Sequence, residues 1–221
     1  MRIVFLGPPG AGKGTQAARV AASLGVPHLS TGDMLRVAKQ EGTEVGLKAK
    51  AFMETGQLVP DKVVDELVRE RLGAPDCAQG FLLDGYPRNQ AQARALETHL
   101  QTGALDYVIS LQVDDEKLVA RIAGRRTCPK DNSVYHMATR PPRRPGLCDL
   151  CGTELVQRAD DREEVVRDRL CVYHEATAGL VGYYERAGLV HTVDGDRSIE
   201  QVAAAVRAAL SIDDDRSENA A

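Results

Sequence analysis
The stretch Gly7-Pro8-Pro9-Gly10-Ala11-Gly12-Lys13-Gly14-Thr15 sets one lysine inside a glycine-rich turn. Glycines let the chain bend so that successive N–H groups face inward on an anion, and a helix starting there adds its positive end. Lys13 supplies a mobile full charge for outer phosphates. The apolar run Ile3-Val4-Phe5-Leu6 before the turn reads as a strand, and Gln16 to Leu24 after it reads as a helix. Strand, turn and helix together turn a loose pattern into a phosphate loop. The general form of that loop wants a hydroxyl directly after the lysine, to ligate magnesium. Here Gly14 holds that position and Thr15 comes one later.

Three further groups bear chemistry. Asp84 follows the apolar run Phe81-Leu82-Leu83, at the carboxyl end of an expected strand, where open α/β sheets meet their ligands. A carboxylate there can order the waters around Mg²⁺, which keeps much of its hydration; read alone, Asp84 also fits the cap of a D-G turn. Arginine is dense at Arg121, Arg125, Arg126, Arg140, Arg143, Arg144, Arg158, Arg162, Arg167 and Arg169. Its planar fork suits phosphate, although Arg140, Arg143 and Arg144 read as solvated surface charge. Lastly, Cys128-x-x-Asp131 and Cys148-x-x-Cys151 are two short turns sixteen residues apart. Such turns each place two ligands about one ion, which suits tetrahedral zinc, and carboxylate oxygen is an accepted zinc ligand. His136 or water is the alternative fourth ligand. A disulfide between two of the three cysteines, disfavoured in a cytosolic setting, is one rival, and unligated thiols are another. Cys77 and Cys171 lie outside the pattern and read as buried or half-buried thiols.

The elements that must position these groups are legible in order. Val26 to Ser30 reads as a second strand, and Asp33 as the N-cap of the helix that carries Met34-Leu35-Arg36. Glu44 to Thr55 reads as a helix stopped by Gly56. After extended Gln57-Leu58-Val59-Pro60, Asp61 reads as the cap of a helix with Val64, Leu67, Val68 and Leu72 inward. Two helices between strands suggest an inserted flap. Residues 89–100 read as a helix, Tyr107 to Val113 as a strand, and Asp115 as the start of a helix with Leu118, Val119 and Ile122. Arg121 and Arg125, four apart, are expected on one helical face, with Gly124-Arg125-Arg126 as a hinge. Residues 127–157 hold four of the ten prolines and three of the five cysteines, with no amphipathic period: a second insertion, rich in loop or strand. A helix leaves it from about Asp161, with Val166, Leu170 and Tyr173 on one face and Arg162 and Arg169 on another. Leu189 to Val193 is the last strand. Ser198-x-x-Gln201 is a capping box for a helix turning Ile199, Val202, Val206 and Leu210 inward. The tail 213–219 is expected to fray. No internal repeat is visible.

Composition bounds the class. With 221 residues, 43% hydrophobic and 27% charged, the chain suits one globular domain with insertions. A net charge of −4 argues against bulk binding to nucleic acid polymers. No apolar run nears the roughly 20 residues that span a membrane. The chain enters a strand at once, leaving no room for a signal peptide, so the expected compartment is the cytoplasm.

The phosphate loop with its G-K-G-T ending resembles those of the nucleoside monophosphate kinases, most of all the adenylate kinases. Ser30-Thr31-Gly32-Asp33-Met34-Leu35-Arg36 is similar to that family's STGDMLR segment. Gly80-Phe81-Leu82-Leu83-Asp84-Gly85-Tyr86-Pro87-Arg88 resembles its LLDGFPR motif, departing only at Tyr86. Residues 157–170 resemble its exit from the lid, and the cysteine pairs resemble its zinc-bearing lids, Asp131 being the departure. The likeness covers residues 1 to about 195, with motifs in family order.

The resemblance implies an α/β P-loop fold, doubly wound, with a five-stranded parallel sheet. The core would be 1–29, 60–123 and 162–221, with an AMP-binding insertion at 30–59 and a lid at 124–161. It implies Mg-dependent phosphoryl transfer from ATP to AMP giving two ADP, in a monomer. On the ATP side it places Gly10, Ala11, Gly12, Lys13, Gly14, Thr15, Arg121, Arg125, Val134, Tyr135 and Arg197. On the AMP side it places Thr31, Arg36, Gln57, Leu58, Val59, Gly85, Arg88, Gln92, Arg158 and Arg169, Gln92 matching the adenine-reading glutamine. Lys13, Asp84, Arg88, Arg125, Arg158 and Arg169 would act in the transfer, and Cys128, Asp131, Cys148 and Cys151 would hold a structural zinc. The alternatives are a kinase for another monophosphate such as UMP or CMP, and a zinc-dependent binding module without turnover. The complete set of cations argues against the second.

Overall fold
The structure is a computed structural model, described here for residues 1–100 and 104–212. The tail at 213–219 lies outside the described residues. A parallel sheet in the order β2-β3-β1-β4-β7 runs through the molecule. Its strands are β1 (Arg2–Leu6), β2 (His28–Ser30), β3 (Phe81–Asp84), β4 (Tyr107–Gln112) and β7 (Val190–Asp194). β1 pairs with β3 and with β4, and the register sets Phe5 beside Asp84. The unbroken apolar runs of β1, β3 and β4 follow from burial on both faces.

Helices cover each face. On one, Val4, Leu6, Leu83 and Val108 pack beneath α2 (Thr31–Gln40), α3 (Glu44–Glu54), α4 (Asp61–Leu72), α5 (Gln90–His99) and α8 (Gly179–Glu185). On the other, Ile3, Phe5, Leu82, Ile109 and Leu111 meet α1 (Lys13–Leu24), α6 (Asp115–Ala123), α7 (Glu163–Val172) and α9 (Ile199–Ala209). The expected doubly wound α/β fold is therefore present. Between α6 and α7 lies an insertion holding a two-stranded antiparallel pair, β5 (Arg125–Thr127) and β6 (Val134–His136). Its small core is Cys128, Tyr135, Cys148 and Leu155.

Several local expectations are corrected. α1 begins at Lys13, three residues before Gln16, because Gly12 at φ 94° turns the chain into the helix immediately. β2 begins at His28, two residues after Val26. Ser30, not Asp33, caps α2: its hydroxyl accepts from the Asp33 N–H. Asp61 is the first residue of α4 and makes no cap bond, the cap position being Pro60. Arg125 is not on a helical face with Arg121, since α6 ends at Ala123 and Arg125 opens β5. Ile199 is exposed while Val202, Val206 and Leu210 are buried, and Cys171 is exposed whereas Cys77 is buried. The Ser198–Gln201 capping box forms as expected.

α2 and α3 cross closely at Gly46, where a Cβ would stand 2.2 Å from the backbone of Ala38. Between α7 and α8, residues Tyr173–Thr177 form one π turn.

Candidate active site
The carboxyl ends of β1, β2 and β3 open on one cleft. β1 feeds the glycine loop, β3 ends in Asp84, and β2 runs directly into Thr31 and α2. In the loop, Gly10 at φ 82° brings the chain against Ile122, 2.8 Å from where a Cβ would stand. Only glycine makes that turn and that approach together. Lys13 Nζ donates to the carbonyls of Gly7 (2.7 Å) and Pro8 (2.9 Å), folding over its own loop. Asp84 Oδ2 stands 3.3 Å from the point where a Cβ on Gly14 would be. A side chain at Gly14 would press on the carboxylate, which would have to give by a few tenths of an ångström.

The cleft is lined by Lys13, Gly32, Arg36, Gln57, Leu58, Val59, Gly85, Arg88 and Arg169, among others. Thr31, fully buried, donates through Oγ1 to the Gly85 carbonyl (2.9 Å), tying β2 to the turn after β3. Arg36 Nη2 is held by Asp33 Oδ1 (2.6 Å). Arg88 Nε donates to the Gly85 carbonyl (2.8 Å), leaving its terminal nitrogens for the cleft. The Arg88 backbone is clamped at both ends: its N–H donates to Gln92 Oε1 (2.8 Å) and its carbonyl accepts from Thr177 Oγ1 (2.7 Å). Arg169 Nη1 donates to the carbonyl (2.9 Å) and carboxylate (3.0 Å) of Asp160. Arg125 is gripped by both oxygens of buried Asp161.

Six cations converge, and burial and neighbouring charge shift several of them. Burial pushes the Lys13 ammonium down to about 8; Asp84 opposes this, while Arg88, Arg169 and Arg125 add to it. Burial and Arg169 lower Arg88 to about 10. Burial, Arg36 and Arg125 lower Arg158 to about 10. Burial also lowers Arg169. Arg125 runs the other way: burial works against its charge, but Asp161 outweighs that and raises it. Clefts in which partly desolvated cations crowd one another in this way mark functional sites.

A family model described as Adenylate kinase matches residues 5–189. The chain belongs to the adenylate kinase family. It is 51% identical to the adenylate kinase of Archaeoglobus fulgidus over 212 residues, covering 95% of this chain and 98% of that one. It is 50% identical to that of Carboxydothermus hydrogenoformans over 212 residues, covering 95% and 99%. It is 51% identical to that of Rhizobium etli over 214 residues, covering 96% and 99%.

The remaining candidate residues divide by place. Arg121 does not join the six: it donates to the Gly195 carbonyl (2.9 Å) and to Asp196 (3.1 Å). Arg197 lies exposed beside Asp194 (2.9 Å). Val134 is exposed on β6, whereas the Tyr135 side chain turns into the core of the insertion. The Tyr135 hydroxyl accepts from the Asp149 N–H (2.8 Å). Gln92 is buried, with its amide engaged on both sides. Asp160, Asp161 and Thr177 were missed as site residues. An acidic doublet between two arginines, Arg158 and Arg162, was the available signal for the first two. No local signal marks Thr177.

In the insertion, Cys128, Asp131, Cys148 and Cys151 bring their ligand atoms within 4.8 Å of one another. Cys128 Sγ and Cys151 Sγ are 3.4 Å apart, and Cys148 Sγ is 3.1 Å from Asp131 Oδ2. The edge of a tetrahedron with zinc–sulfur bonds of about 2.3 Å is about 3.8 Å, so the cluster fits such an ion. The Ser133 N–H holds Asp131 Oδ1 (2.9 Å), leaving Oδ2 for the cluster. His136 is not in the cluster: its Nδ1 accepts from the N–H groups of Ala138 (3.2 Å) and Thr139 (3.1 Å). Asp131 stands in the cluster, and His136, the alternative to it, does not.

Proposed function
We propose that the cleft transfers the terminal phosphoryl group of ATP to AMP, reversibly, giving two ADP. The observation that carries this reading is the convergence of Lys13, Arg36, Arg88, Arg125, Arg158 and Arg169, with Lys13, Arg88 and Arg158 lowered by burial and by neighbouring cations. The attacking group is a phosphate oxygen of AMP, largely ionised near neutral pH because its second pKa is about 6. No general base is required. The protein's task is to bring two anions into line and to offset their repulsion.

The division of labour follows the walls of the cleft. The loop 10–15 cradles the ATP phosphates through its N–H groups, with Lys13 on the outer ones. Arg36 and Arg88, beside Gln57, Leu58 and Val59, take AMP, with Thr31 bracing the turn at Gly85 and Gln92 reading the base. Arg125, Arg158 and Arg169 come from the two sides of the insertion and meet the transferring group. Arg121, Val134, Tyr135 and Arg197 belong to the ATP side, near its nucleoside. Residues 30–59 act as an AMP-binding flap and 124–161 as a lid. Their closure would expel water that would otherwise take the phosphoryl group.

Asp84 suits Mg²⁺: it is a single carboxylate at the strand end, close to Lys13 and with no side chain on Gly14 to fill the space. Held near Asp84, the ion would neutralise charge on the phosphates. Zinc in Cys128, Asp131, Cys148 and Cys151 would be structural, supplying folding energy to an insertion with a small apolar core. We place the protein in the cytoplasm as a monomer. No helix among the described residues is long and apolar enough to cross a membrane.

A coupled assay of ADP formation with AMP, UMP, CMP and GMP, with and without Mg²⁺, tests the reading. AMP is expected to be the preferred acceptor and Mg²⁺ to be needed. A preference for UMP or CMP would assign another monophosphate kinase, and no turnover with any of the four would sink the reading.

A further inference from the structure
Asp61 follows extended 57–60 at the start of α4, where a helix cap would be expected, yet it makes no cap bond. Its carboxylate turns instead to α5. Asn89 Nδ2 donates to both of its oxygens, at 2.9 and 3.1 Å, and Gln92 Nε2 donates to Oδ1 at 2.7 Å. Asn89 is fixed in turn, because its own Oδ1 caps α5 through the Gln92 N–H (2.9 Å). On its other side the Gln92 amide accepts from the Arg88 N–H at 2.8 Å.

A glutamine amide has nearly the same shape with its oxygen and nitrogen exchanged, so its order of donor and acceptor is set by its partners alone. Both partners here are unambiguous. A backbone N–H only donates, and an ionised carboxylate only accepts. A flipped amide would face donor to donor at Arg88 and acceptor to acceptor at Asp61, in a buried place where either mismatch is costly. Once these two bonds are made, Oε1 keeps one lone pair and Nε2 keeps one N–H, side by side. That pair complements an amino group next to an unprotonated ring nitrogen, as on adenine and cytosine. It opposes an oxo group next to a ring N–H, as on hypoxanthine, guanine and uracil.

We propose that Asp61 is a specificity-determining positioning residue, which fixes the polarity of the Gln92 amide so that the acceptor pocket takes amino bases and rejects oxo bases. This rests on the reading of Gln92 as the base-contacting residue. Arg88 supplies the second half of the lock, but its N–H is common to every chain without proline at that place. Asp61 is the half that a substitution can remove.

The test compares kcat/KM for AMP and for inosine monophosphate, whose base has the size of adenine with the edge polarity reversed. Parent, Asp61→Ala, Asp61→Asn and Gln92→Leu proteins are assayed with the same ATP. In Asp61→Ala the AMP:IMP ratio is expected to fall about tenfold or more, the scale of a hydrogen bond to a charged group, with kcat/KM for IMP rising in absolute terms. A merely structural role would lower both substrates together and leave the ratio alone. Asp61→Asn keeps the shape and so covers a folding defect in Ala, and its amide can donate as well as accept, so the ratio is expected to fall about threefold or more. A ratio unchanged in both Asp61 variants, while Gln92→Leu collapses it, overturns the lock and leaves Gln92 as the base reader. A ratio unchanged in Gln92→Leu overturns the reading of Gln92, and the lock with it.

Discussion

Asp161, with none of its side chain exposed, grips Arg125 through both carboxylate oxygens and stands 3.9 Å from Arg169. Its neighbour Asp160 holds Arg169 directly. The acidic doublet therefore aims two of the six cations, one on the strand entering the insertion and one on the helix leaving it. Removing one partner of a buried pair leaves the other charge uncompensated, at a cost of about 3–5 kcal/mol. Asp161→Ala is expected to lose stability on that scale in urea unfolding without nucleotide, and to lose phosphoryl transfer at temperatures where it is still folded. A variant with parental stability and parental kcat would show that the pair is idle.

Lys13 gives a pH signature. Its ammonium sits at about 8 in the folded protein against an ordinary 10.5. Between those values the unfolded chain binds more protons than the folded one, so stability rises with pH across that window. The favourable contribution is complete above about 10.5 and is lost as pH falls through about 8. The parent without nucleotide should therefore gain stability relative to Lys13→Met between about pH 8 and 10.5, and parallel pH profiles would refute the assignment. Lys13→Met should also lose at least about 10²-fold in kcat, the low end for removing one preorganised donor.

Thr177 reaches the Arg88 carbonyl at 2.7 Å from the π turn. Such turns are frequent at functional sites. Thr177→Val keeps the volume and removes the donor, a loss of about 1 kcal/mol, which corresponds to about a fivefold rise in KM for AMP. KM for ATP should stay near the parental value. An equal change in both constants would point to general loosening instead.

Metal analysis checks the cysteine cluster. Protein purified without chelator is expected to carry about one zinc per chain. Cys148→Ala should lose the metal and melt at a lower temperature, yet keep activity when cool, because the cluster does not share a side chain with the six cations. Absence of zinc after refolding with excess Zn²⁺ and reductant would end the idea.

The phosphate loop was legible because its requirements are local: a strand, glycines at positive φ and a helix follow one another within a few residues. Asp84 was legible for the same reason, at the end of an apolar run. Asp61 was not, because its sequence position satisfies the rule for a cap while its partners, Asn89 and Gln92, come from another helix. Arg125 was misplaced because a four-residue spacing from Arg121 looks helical, and only the end of α6 at Ala123 separates them. Thr177 depends on a π turn, which shifts the helical phase and leaves no periodic trace. Long-range pairing and phase breaks are the parts of this site that propensity does not encode.

The strand order has a consequence for synthesis. β1 sits at the centre of the sheet, and its neighbours β3 and β4 are made much later; β7 joins β4 only near the end. The glycine loop therefore leaves the ribosome long before the carboxylate and arginines that complete it, and non-local strand pairing is slow to form. A chain that stops before Arg158 lacks Arg158, Arg169 and the edge strand β7. Chains arrested on the ribosome before Arg158 should show no phosphoryl transfer, and activity in such a chain would contradict this. Arg158, Arg169 and β7 are the last parts of this arrangement to be made, so competence is expected only late in synthesis.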